Sequence, residues 1–134
     1  MSEFAVFARL ARATCPKLHI SVMMYERQNA RGLDNVRYRL QATGPGLAKE
    51  ITAEADSPVG AISELTAKVR EARRAFATEA AIARISRAAG GLDEDAQAHI
   101  RRQLLACPLL AFDGTVARLR QAACNSAAEQ QQAA

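Results

Sequence analysis

Three cysteines and two histidines are the side chains here best suited to hold a metal or attack an electrophile: Cys15, Cys107, Cys124, His19 and His99. Cys15 and His19 stand four residues apart, but Pro16 lies between them and a strand pattern opens at Leu18, so no helical turn presents them together. No second close pair completes a tetrahedral ligand set. Cys15 as a nucleophile would have His19 as its only local base, with no third group to orient the imidazole. The odd cysteine count and the lack of C-x-x-C spacing predict reduced, inert thiols of a cytoplasmic protein.

Asp93-Glu94-Asp95 gathers three carboxylates, yet their place at a helix start accounts for them through capping and the helix dipole. Gly44-Pro45-Gly46 has the glycines of a phosphate loop but not its length, nor a following Lys-Ser or Lys-Thr. These absences predict a protein that is not an enzyme and takes no metal and no cofactor.

Basic side chains offer more. The formal charge is +4, and residues 1–43 hold seven Arg/Lys against three Asp/Glu, whereas the rest of the chain is close to balanced. Tyr25, Arg27, Arg37 and Arg39, with Arg31 in the connection between two strands, form a candidate surface for a protein or a nucleic acid. The connection 28–35 (QNARGLDN) is longer than a tight hairpin needs, as binding loops often are. A second candidate is apolar: Leu109, Leu110 and Phe112 sit between the breakers Pro108 and Gly114, as a core plug or as a patch that docks a partner.

The elements that must carry these residues follow from periodicity. Leu18 to Arg27 and Asn35 to Thr43 alternate apolar and polar, and Leu47 to Ala55 does so after the Gly44-Pro45-Gly46 turn. A tight turn there pairs residues whose numbers sum to 89, setting Arg39 opposite Glu50, Tyr38 opposite Ile51 and Val36 opposite Ala53. Lys49 is then a misfit on the drier face. Ser57 as N-cap and Pro58 at the first helical position start a helix to about residue 77, with Val59, Ile62, Leu65, Val69, Ala72 and Phe76 as its apolar stripe. The stripe changes phase near Thr78, which predicts a kink or a new helix over 79–90, closed by Gly90-Gly91.

Residues 3–14 form a further helix, with Phe4, Phe7, Ala8, Leu10 and Ala11 inward. Helices over 93–106 and 114–125 complete the C-terminal half, and 126–134 (SAAEQQQAA) is expected to be disordered. The fold class is therefore α+β: a three-stranded antiparallel sheet (18–27, 35–43, 47–55) packed on helices, then an all-helical half. Residues 1–125 make one domain, in which 79–125 could stand as a helical subdomain.

A helix, three strands and a helix over residues 3–77 is similar in element order to double-stranded-RNA-binding domains, which implies contact with a groove. Those domains carry a basic cluster at the start of the second helix. Here that place holds Glu54, Asp56 and Ser57.

Binding rather than chemistry is the expectation. A protein partner comes first, as for a small bacterial or bacteriophage adaptor or inhibitor acting on a larger, nucleic-acid-associated complex. The source is inferred from the abundance of Ala and Arg, whose codons are GC-rich. Direct nucleic-acid binding through the basic sheet face is the alternative, and self-association through Ala-rich helices is open. No apolar run approaches the roughly 20 residues of a membrane span.

Overall fold

The computed structural model describes residues 2–28, 31 and 34–133. In chain order these form α1 (Glu3–Thr14), β1 (His19–Gln28), β2 (Asp34–Thr43), β3 (Ile51–Ala55), α2 (Pro58–Ala89), α3 (Glu94–Ala106), a 3-10 turn (Leu109–Ala111) and α4 (Phe112–Ala133). The α+β class read from periodicity is the class observed. The chain divides into two compact units, Met1–Arg73 and Arg74–Ala134.

Capping chemistry sets most helix ends. Ser2 Oγ accepts from Ala5 N at 3.1 Å, Ser57 Oγ from Gly60 N at 3.0 Å and Asp93 Oδ1 from Ala96 N at 2.7 Å. Each side chain satisfies an amide that the first turn leaves without a partner. At the other end of α2, Gly91 N donates to Ser86 O (2.7 Å) and Gly90 N to Arg87 O (3.4 Å), the paired bonds of a Schellman cap. Both glycines have positive φ, 79° and 115°, which a side chain would oppose.

The first unit is one sheet under two helices. Strand order is β1-β2-β3, antiparallel throughout, with ten consecutive pairs from His19↔Thr43 to Gln28↔Asp34. Phe7 and Ala11 of α1, Ile20, Tyr38, Leu40, Ala42 and Ala53 of the sheet, and Ala61, Leu65 and Val69 of α2 share its core. Phe7 meets Tyr38 edge to face, with centroids 5.2 Å apart.

Pairing of β2 with β3 departs from the sequence-based register. Leu40 opposes Ala53, Arg39 opposes Glu54 and Tyr38 opposes Ala55, so pair numbers sum to 93 rather than 89. Gly44 (φ 146°) and Gly46 (φ 82°) turn the chain, Leu47 N donates to Gly44 O at 3.2 Å, and the ladder resumes only at Ile51. Leu47 leaves the strand to pack against the core, and Lys49, no misfit, is an exposed loop residue. A Cβ on Gly44 would lie 2.9 Å from Leu18 Cδ2, so the turn needs glycine there for space as well as for φ. The shift is an even four residues, and every strand residue keeps its expected face.

The helices differ from expectation in three ways. No break occurs at Thr78: α2 is one helix of 32 residues, about 48 Å long. The phase change is real but falls within one continuous helix: Leu65 lies in the first core and Ile85 in the second. Val59 and Phe76, assigned to the first stripe, are 73% and 48% exposed, and Phe4 and Leu10 of α1 are exposed too.

Finally, α4 begins at Phe112 rather than 114 and continues to Ala133, through the stretch expected to be disordered. Residues 126–133 are Ser, Ala, Glu and Gln without Gly or Pro, so nothing interrupts the helix once α4 has started. The second core joins Ala81, Ile82 and Ile85 of α2, Ile100 and Leu104 of α3, and Leu119 of α4.

Candidate functional site

The sheet face opposite the first core carries the basic candidates. Alternation in β1 and β2 sets Ser21, Met23, Tyr25 and Arg27 beside Gln41, Arg39, Arg37 and Asn35 respectively. The structure therefore brings Tyr25, Arg27, Arg37 and Arg39 to one surface, but it also supplies their counter-charges. Arg37 Nη1 is ion-paired with Asp56 Oδ1, and its Nε lies 3.6 Å from Glu54 Oε1. Asn35 Nδ2 donates to the same Asp56 carboxylate at 3.3 Å.

Glu54 also stands across the ladder from Arg39, whose Nε is buried without a hydrogen-bond partner. The result is a mixed-charge layer with Met23, 49% exposed, at its β1 side. Arg31 is exposed in the connection; residues 29, 30, 32 and 33, half of the proposed 28–35 binding loop, lie outside the described residues.

The apolar candidate divides. Phe112 packs against the second core, as a plug would. Leu109 and Leu110 do not: they are 70% and 102% exposed, and Leu105, the last residue but one of α3, is 46% exposed. These leucines sit on backbone that is tied down. Arg74 Nη2 donates to Leu104 O at 3.0 Å and to Cys107 O, closing the C-terminus of α3. Cys107 N donates to Gln103 O (3.1 Å) and Ala111 N to Pro108 O (2.9 Å). An exposed leucine on a hydrogen-bonded corner is presented with little ordering entropy left to lose on binding.

Reactive groups are not assembled. Cys15 is buried, Cys107 and Cys124 are half-buried, and none forms a disulfide. Cys107 Sγ donates to Leu104 O at 3.3 Å, a structural contact. Among the described residues, no three His, Cys, Asp or Glu side chains come together as metal ligands. An open groove of about 600 Å³ in the second unit is lined by Asp93, His99, Ile100, Leu119, Ala123 and Gln130 among others. Its carboxylate, Asp93, is already occupied with the Ala96 amide.

Sequence reasoning missed Met23, Leu105 and the Arg74 clamp. Leu105 was legible: on a helix whose inward stripe runs through Ile100 and Leu104, a residue one step beyond Leu104 turns outward. Arg74 was not, because its acceptors lie some thirty residues away and no local pattern links them.

No protein-family model matches this chain, and neither a curated protein nor a solved structure matches it significantly. The likeness to double-stranded-RNA-binding domains is one of element order alone. No helix is long and apolar enough to cross a membrane among the described residues.

Proposed function

We propose that this chain is a non-enzymatic protein-docking module whose contact is the corner between α3 and α4, centred on Leu110 with Leu105 and Leu109 beside it. One observation carries the reading: Leu110 is fully exposed and Leu109 nearly so, on a turn fixed by the bonds of Arg74, Cys107 and Ala111. Large apolar side chains held out in water on rigid backbone cost solvation, and a partner that covers them recovers it. Well-packed apolar anchors of this kind carry most of the energy of small interfaces. The chain then acts as an adaptor or inhibitor on a larger assembly, and its unpaired thiols suit the reducing cytoplasm.

Leu110→Asp tests this directly. With no native contact to lose, the variant keeps the wild-type melting temperature, yet its recovery of the partner from a source-cell extract falls at least tenfold. A variant that unfolds, or that recovers the partner as well as wild type, contradicts the assignment.

A second reading, contact with nucleic acid through the sheet face, is favoured by Arg39, whose Nε–H has no acceptor, and by exposed Arg27. The ion pairs of Arg37 weigh against it. It requires a mobility shift that weakens with salt and is lost in Arg37→Glu/Arg39→Glu.

A further inference from the structure

β1 is an edge strand of unusual freedom. Ten residues long, it pairs with β2 through ten uninterrupted pairs. Among the described residues no second strand lies along its outer edge. The other edge is guarded: β3 has five residues, and Lys68 Nζ takes its Thr52 carbonyl at 2.9 Å. Natural sheets blunt their edges with prolines, bulges, lysines or brevity. β3 is short and is capped by a lysine of α2, whereas β1 has no proline, bulge or lysine, and its five residues Ile20–Met24 are uncharged.

We propose that the free edge of β1 pairs antiparallel with β1 of a second copy of this chain, about a two-fold axis normal to the sheet, giving a continuous six-stranded sheet. Such an axis keeps like faces together, so only registers with an even pair sum are allowed. The register centred on residue 22 sets Val22 against itself and Ile20 against Met24, and keeps Glu26 away from its own copy.

The burial pattern fits this occupant. Ile20 is 2% exposed, whereas Val22 and Met24 on the same row are only half-buried and Met23 on the other face is 49% exposed. A neighbouring strand covers all three. α1, which rests on β1, also leaves Phe4, Val6 and Leu10 uncovered at 45%, 42% and 51%. The two-fold axis puts both copies of α1 on the same side of the enlarged sheet, and a foreign peptide strand would leave those side chains exposed. The Leu110 corner belongs to the other unit.

In this register Met23 stands diagonal to its own copy, within reach of a charge pair. Sedimentation equilibrium of the full chain is expected to give twice its 14.4 kDa mass. Met23→Lys and Met23→Glu are each expected to weaken self-association at least tenfold, and an equimolar mixture of the two to restore it. Met23 is half-exposed, so both variants keep the wild-type circular dichroism spectrum. Should one fail to fold, Ser21→Lys and Ser21→Glu, at an exposed position on the same row, carry the same experiment. A wild-type chain that sediments as a monomer at every concentration overturns the proposal. So does a dimer that neither charge pair disturbs, or one abolished by Leu110→Asp.

Discussion

Tyr38 ties α1 to the sheet. Its hydroxyl donates to Glu3 Oε1 at 2.5 Å. That bond chiefly, with burial and the nearby carboxylate charge, raises the phenol above its ordinary value of 10.0. A raised folded-state value means the contribution is complete below pH 10 and is lost as pH climbs through the raised one. Tyr38 should therefore ionise above the ordinary phenol range in a phenolate absorbance titration, and Tyr38→Phe should remove that high-pH component. Glu79 behaves oppositely. Arg101 Nε donates to Glu79 Oε1 at 2.6 Å and Nη2 to Oε2 at 3.2 Å, and this bidentate pair lowers the carboxyl below 4.5. Its stabilisation is present above pH 4.5 and lost as pH falls through the lowered value. Glu79→Gln should lower the melting temperature slightly at neutral pH, converge with wild type at low pH, and so flatten the acid limb of the profile.

Thr78 makes a further residue-scale prediction. It is 1% exposed, and its Oγ1 has no hydrogen-bond partner. A buried hydroxyl without a partner costs stability that an apolar group of equal volume does not. Thr78→Val is therefore expected to stabilise the chain by about 1 kcal/mol in urea unfolding. Destabilisation would mean that the hydroxyl is satisfied in solution. The sequence marked position 78 as the place where the stripe changes phase, and it is the place where α2 passes from one core to the other.

At the level of elements, the legible parts were those fixed by neighbours in sequence. Ser57-Pro58, Asp93 and Gly90-Gly91 each act within one helical turn, and each does what its chemistry implies. Strand alternation likewise placed Tyr25, Arg37 and Arg39 on one face. What failed depended on the geometry of a loop or on contacts across the chain. Gly44-Pro45-Gly46 fixed a turn without fixing how many residues would loop out after it, so the register of β3 slipped by four while the faces survived. The end of α4 was missed because a stretch without an apolar stripe was read as unstructured, although its residues are competent helix formers. Arg74 is the element-scale test: it closes the C-terminus of α3 onto α2. Arg74→Met removes a charged donor from part-buried carbonyls and should cost about 2–3 kcal/mol. It should also loosen the 107–111 corner, seen as faster amide exchange at Ala111 than in wild type.

For the molecule as a whole, two surfaces of different character follow from one chain. A backbone edge on the first unit suits a second copy, and an apolar corner on the second unit suits a partner. The function proposed for both is one of contact. The most direct measurement replaces Leu110, and separately Arg39, with a photo-reactive amino acid and identifies what each captures in the source cell. The account predicts protein adducts at position 110 that disappear when Leu109→Asp is added. Nucleic-acid adducts at position 39 with no protein captured at 110 would contradict it.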